Sequence, residues 1–193
     1  MKKFTIIFLA SILLCFSCEQ VMAQEAPYKA SVGGMLPSFF ALGPSAKFFF
    51  SEHLALQTDL LYKATLTRYK KETDFFLALY PTIELNTNVM CQKKIKDKET
   101  FDLFWFIGGG GTLGFEFIGI NGKFGVNAIT GIEYVFKGGL SVQIDLRPGY
   151  AMLFHSGDKI NSYFLIPDVN PCHHFDWLIG FTIRRTFNKK VVE

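Results

Sequence analysis

Between residues 124 and 154 apolar and polar side chains alternate almost without error: FGVNAITGIEYVF, then KGG, then LSVQIDLRPGYAMLF. Phe124, Val126, Ala128, Thr130, Ile132, Tyr134 and Phe136 share one face, and Gly125, Asn127, Ile129, Gly131, Glu133 and Val135 share the other. After Lys137-Gly138-Gly139 the pattern resumes, with Leu140, Val142, Ile144, Leu146, Tyr150, Met152 and Phe154 opposed by Ser141, Gln143, Asp145, Arg147, Gly149 and Ala151. A period of two is the signature of a strand with one apolar and one polar face. Lys-Gly-Gly supplies the positive-φ positions of a tight hairpin. Each run holds ten or more alternating residues. Soluble strands average about 5–6 residues, whereas a tilted strand crossing a bilayer needs about 9–11.

The same reading yields six further strands. They are expected at Tyr28 to Leu36, about Pro44 to Phe50, Leu54 to about Arg68, about Asp74 to Met90, Phe101 to Phe117, and Phe175 to Phe187. Between them come a breaker-flanked loop at 37–43, a turn at 51–53, a charged loop at 69–73 and a turn at 118–122. A lysine-rich stretch at 91–100 reads as a solvated connection, and 155–174 as one long loop. In the fifth strand Phe104 and Phe106 break the alternation. Eight strands joined as sequential hairpins predict an all-β, eight-stranded antiparallel up-and-down transmembrane β-barrel, because closure removes the sheet edges that lipid does not tolerate.

A soluble eight-stranded carrier of the lipocalin type is the competing architecture. Its apolar side chains would point inward and its outer face would carry many Lys and Glu. Here the apolar face is bulky and nearly uniform, and the polar face mixes Gly, Ser, Thr, Asn and opposite charges, which suits a narrow interior. A charge on a lipid face costs about 2–4 kcal/mol at mid-bilayer. Arg185 shares the apolar face but lies near a strand end, where it can snorkel. Tyr62, Tyr134, Tyr150, Trp105 and Trp177 suit interfacial positions.

Residues 1–23 read as a cleavable signal peptide: Lys2 and Lys3, an apolar run from Phe4 to Phe16, then Val21-Met22-Ala23 before Gln24. An anchor helix or a lipidated Cys18 are the alternatives, the latter poorly served by Cys15-Phe16-Ser17. Residues 24–193 then form one outer-membrane barrel domain, exported to the cell outer membrane. Hydrophobic residues make up 49% of the chain and Phe numbers 22, yet no later run is long enough for a spanning helix. Without Lys2, Lys3 and Glu19 the formal charge is +2, which gives no reason to invoke nucleic acid. Of the four cysteines, Cys15 and Cys18 fall in the signal. The oxidising compartment favours pairing Cys91 with Cys172, but the expected topology puts them at opposite ends of the barrel, so no internal disulfide is expected.

The signal ending VMAQ, the hairpin TGIEYVFKGGLSVQIDLRPGY and the final strand FDWLIGFTIRRTF together resemble the small eight-stranded outer-membrane proteins of the OmpA and OmpX type. The chain looks closer still to the broad family called outer membrane protein beta-barrel domain, over essentially all of residues 24–193. The resemblance implies outer-membrane lipid as solvent and the barrel-insertion machinery as an assembly partner. Phe187 resembles the terminal aromatic that such barrels present to that machinery, although residues 188–193 follow it.

The inward ionisable residues are expected to be Lys47, Asp59, Lys63, Glu84, Asp102, Glu116, Lys123, Glu133, Asp145, Arg147, Asp176 and Arg184. Glu133, Asp145, Arg147 and Arg184 come from the last three strands and are expected to form one lumen charge network, since buried charges are tolerable when paired. Eight strands leave an interior that side chains just fill, so a plugged lumen is expected ahead of a narrow transport pore. His155-Ser156 invites comparison with lipid A deacylases, but in that family one residue separates the pair; here they are adjacent and a strand points them apart. Cys172-His173-His174 with Asp168 and Asp176 lacks structural zinc spacing. Gly108 to Gly111 lacks the context of a phosphate loop and is expected to mark close backbone packing. The reading is therefore a non-enzymatic barrel without metal or cofactor, acting structurally or through a surface ligand held by loop 155–174. A pore, a lipid-modifying enzyme and a soluble carrier are the rivals.

Overall fold

The computed structural model describes residues 26–38, 41–71, 74–117, 121–155 and 173–187. They form eight strands: β1 (Ala30–Ser38), β2 (Ala41–Phe49), β3 (Leu54–Lys71), β4 (Asp74–Asp97), β5 (Phe101–Glu116), β6 (Asn121–Phe136), β7 (Leu140–His155) and β8 (His173–Phe187). Each pairs antiparallel with its sequence neighbour, and β1 closes on β8 from Ala30↔Phe187 to Leu36↔Phe181. The fold is thus an all-β, closed, eight-stranded up-and-down barrel. One end carries both chain ends and the short connections after β2, β4 and β6, and is called here the turn end. The loop end carries the other four connections.

The alternation has a direct spatial meaning. Leu42 is 60% exposed, Ile144 45% and Ile179 67%, while Lys47, Asp59 and Glu133 are at 0%. Apolar side chains stand outside and charges stand inside, the reverse of a water-soluble globule. Among described side chains, the charges on the outer face of the strands are Lys93, Lys96 and Arg185, all near the turn end.

The tight hairpin forms as the sequence dictates. Gly139 has φ +85°, its N–H reaches Phe136 O at 3.1 Å, and Thr186 N–H donates to Gly139 O at 2.8 Å. A side chain is disfavoured at this φ, and glycine is not.

Several boundaries differ from expectation: β7 runs to His155 and β8 begins at His173, so the expected loop at 155–174 narrows to 156–172, and β6 begins at Asn121 inside the expected turn at 118–122. Residues 91–97 are strand, paired with β5 from Cys91↔Ile107 to Asp97↔Asp102, so the connection shrinks to 98–100. The lysines there misled because inward Lys94 and outward Lys93 and Lys96 sit at a strand end, where charge reaches water; a register shift between Lys94 and Lys96 eases the exit. Strand also replaces most of the expected loop at 37–43. Pro37 lies where the β1–β2 register shifts between Met35 and Ser38, and Pro44 pairs with Gly34. Prolines that break a regular ladder are tolerated at such irregularities. The charged loop at 69–73 likewise narrows, since β3 runs to Lys71 and β4 begins at Asp74. Residues 1–23, expected to be a cleavable signal peptide, and Ser156, Asp168 and Cys172 lie outside the described residues.

Gly108 and Gly110 explain the glycine run. A Cβ on Gly108 would stand 2.2 Å from Val89 O, and one on Gly110 1.9 Å from Thr87 O. The β4 backbone occupies the space a side chain would need.

Candidate functional site

The interior is layered along the barrel axis. At the turn end it is aromatic. Tyr28, Phe104 and Val135 form one buried cluster, Ala55, Met90, Phe106 and Ile129 another, and Phe49 packs against both. Tyr28 meets Phe49 edge-on with centroids 5.1 Å apart. Phe104 and Phe106, which break the alternation of β5, point inward and are at most 1% exposed.

Above them sits the carboxylate of Glu133. It accepts from Tyr28 Oη at 2.7 Å, Lys47 Nζ at 2.7 Å and Gln92 Nε2 at 2.9 Å. Arg184 Nη1 lies 3.7 Å away. The Lys47 ammonium also stands 5.1 Å from the Phe106 ring centroid and 5.4 Å from that of Phe49, so the aromatic faces add to its stabilisation. Side chains from β2, β4, β6 and β8 therefore meet at one level.

Gln143 carries the network towards the loop end. Its Oε1 accepts from Arg184 Nη1 at 2.9 Å, and its Nε2 donates to Asp145 at 2.7 Å and to Gln57 at 3.1 Å. Arg147 then donates from Nε to Asp145 at 2.6 Å and from Nη1 to Asp59 at 2.6 Å. Gln57 donates to both oxygens of Asp59. The four expected network residues are thus linked, Glu133 through Arg184 and Gln143 to Asp145 and Arg147. Three cations (Lys47, Arg147, Arg184) face three carboxylates (Asp59, Glu133, Asp145). That balance is what makes a buried network tolerable, since an unpaired buried charge carries most of its desolvation cost.

Nearest the loop end, Glu84 accepts from Lys63 at 2.5 Å and Lys123 at 2.9 Å. Both lysines thus reach the same carboxylate, one oxygen each. Beside it lies a cavity of about 80 Å³ whose lining includes Lys63, Glu84, Asn86, Lys123, Asn127 and Arg147.

At the opposite end Asp102 accepts from Lys137 at 2.8 Å, and Lys94 donates to Asp97 at 3.0 Å. The bond to Asp102 raises the Lys137 ammonium above its ordinary pKa, and Lys94 holds the Asp97 carboxyl below the usual range.

Reading the sequence for charge missed the uncharged connectors. Tyr28, Gln57, Gln92 and Gln143 tie the ionic groups together; Gln92 falls in the stretch expected to be a solvated connection, and β4 carries it inward instead. Lys47, Asp59, Lys63, Glu84, Asp102 and Lys123 face inward as expected; the side chains of Glu116 and Asp176 are not among those described. His155, His173 and His174 fall in strands, also without described side chains, and Cys91 is buried on β4. The chain matches no protein-family model, and no curated protein matches it.

Proposed function

We propose that this chain is an outer-membrane β-barrel protein with a side-chain-plugged interior, non-enzymatic, serving a structural or surface-interaction role through its loop-end connections. The observation that carries this reading is the outward apolar band. Large side chains such as Leu36, Leu42, Leu60, Ile83, Ile144 and Ile179 are each more than a third exposed on one continuous wall. Contiguous apolar surface beyond a few hundred Å² is unusual for a soluble monomer, and it is what lipid solvates. The polar interior argues in the same direction, because a carrier of apolar ligands needs an apolar inside.

The plug reading rests on the aromatic layer and the balanced network behind it. An ion would have to displace Tyr28, Phe49, Phe104 and Phe106 and then separate three neutralised cations from their carboxylates. The signal-like residues 1–23 and the resemblance to OmpA- and OmpX-type barrels support an address in the outer membrane, with lipid and the insertion machinery as partners. The connection between β7 and β8, residues 156–172, is the longest between strands at the loop end and the first candidate for contact with a surface ligand.

The test joins two measurements on the refolded mature protein: a gel shift that disappears on heating, and single-channel recording in a planar bilayer. A gel shift without conductance supports the plugged barrel. Steady, ion-selective conductance would favour the pore instead. Absence of both a gel shift and insertion would favour the soluble barrel.

A further inference from the structure

Resting on the membrane reading above, we infer that the corner of the wall where β4 and β5 leave the barrel at the turn end is a site for the phosphate of an anionic phospholipid headgroup. The bulge in β4 comes first. Even-numbered residues of β4 from Thr82 to Gln92 are buried inside, and continued alternation would send Lys96 inward too. Instead Lys94 pairs with inward Phe104 and Lys96 with Leu103 on the outer face, so Ile95 is the extra residue. Bulges re-aim side chains in this way. Lys96 thereby joins Lys93 on the wall, while Lys94 stays on the inner side, bonded to Asp97.

The second observation is what stands beside the two lysines. Trp105 lies directly opposite Lys93, which sets their Cβ atoms about 4.5–5.5 Å apart. The indole N–H can only donate, and each ammonium carries three donors. Among the described residues no acceptor bonds the polar head of Lys93, Lys96 or Trp105. Nor does any described carboxylate stand on the outer face of the strands. Towards mid-wall this face turns apolar at once, with Val89 and Ile107 both more than a third exposed. On its other flank it is aromatic: Phe101 packs against Tyr134 and Phe136 with ring centroids 5.5 and 6.2 Å apart. Aromatic rings and snorkelling cations at one level mark the headgroup region of a bilayer.

This layering sets the occupant. Its polar end must accept from two ammoniums and an indole, and the rest of it must lie along an apolar wall. A phosphate diester carrying acyl chains meets both demands, whereas a free ion meets only the first. A headgroup with net negative charge is preferred to a zwitterionic one, whose own ammonium competes for the phosphate. Each basic residue at an anionic surface strengthens binding by roughly fivefold.

The test uses the full mature chain in lipid nanodiscs of phosphatidylcholine, with phosphatidylglycerol replacing that lipid in steps. The indole N–H resonance of Trp105, assigned by Trp105→Phe, is followed. Phosphatidylglycerol should move it saturably, and inorganic phosphate added to pure phosphatidylcholine discs should not. Lys93→Gln combined with Lys96→Gln should raise the phosphatidylglycerol share at half-shift about fivefold or more. Lys93→Arg combined with Lys96→Arg keeps the charge and should keep the response. Arg185→Gln removes a cation from the outer face of β8 and should leave the response unchanged. A shift linear in lipid composition would overturn the inference. So would a midpoint unmoved by the double Lys→Gln change, an equal loss in Arg185→Gln, or a response to inorganic phosphate alone. The heat-sensitive gel shift is run on every variant. A chain that enters the discs and shows the gel shift, yet gives no Trp105 response, overturns the site and leaves the barrel reading standing. A chain that enters no disc overturns both.

Discussion

Lys47 Nζ and Glu133 Oε2 stand 2.7 Å apart with no solvent reaching either side chain, though 86 residues of chain separate them. Removing one partner of such a pair strands the other, at a cost of about 3–5 kcal/mol. Lys47→Met and Glu133→Gln should each lower the urea midpoint of the refolded barrel. The double variant should lose clearly less than the two losses added together. Strict additivity would mean that the two groups do not couple across the barrel.

Gly131 is the place where the Phe106 ring fits. A Cβ there would lie 2.8 Å from Phe106 Cζ and 2.1 Å from Ile144 O. Gly131→Ala should destabilise by about 1–3 kcal/mol, the usual range for overfilling a packed interior. Phe106→Leu on that background should recover only part of the loss, since the carbonyl contact remains. Equal stability of Gly131→Ala and the parent would show that the strands spread freely here.

Ile144 and Leu140 lie on the same outer face, Leu140 paired with Arg185 near the turn end and Ile144 further along the wall. If lipid surrounds the wall, Ile144→Arg should cost about 2–4 kcal/mol in bilayer refolding and Leu140→Arg much less. A barrel standing in water would be improved by either change. Refolding equilibria in vesicles decide between the two.

Lys137 binds Asp102 in the turn-end cluster, and its pKa is raised. A raised pKa in the folded state means that the stabilising contribution is fully present below the ordinary lysine value of about 10.4. It is lost as pH climbs through the higher folded value. Because Lys137 is 41% exposed, the effect on stability is small. The sharper readout is the ammonium titration itself, which should fall back towards the ordinary value in Asp102→Asn.

Periodicity made the wall legible. Each strand was visible as a run of alternating residues, and the inward or outward sense of Lys47, Asp59, Glu84 and Arg184 followed from parity alone. Strand ends were less legible, for a physical reason. At Lys93–Asp97 the strand end carries exposed charge, so composition stops distinguishing strand from loop. At Pro37 and Pro44 a local breaker signal was outweighed by the β1–β2 pairing of the residues around them. The network was half legible. Its ions carry an obvious signal; Gln143, which joins Arg184 to Asp145, does not. Its importance comes from meeting Gln57, 86 residues away, and no window along the chain contains both.

The way the wall closes has a consequence for how the molecule is made. Seven of its eight seams join strands that are neighbours in sequence, so each can zip from a local hairpin. The eighth joins Ala30 to Phe187 and must wait for nearly the whole chain. Bringing distant ends together carries an entropic cost, and non-local pairing is slow for that reason. Until that seam forms, β1 and β8 are two open edges that can recruit any passing strand. The final act of assembly is thus also its most vulnerable moment, and it depends on a nine-residue strand that contains two adjacent glycines and a proline.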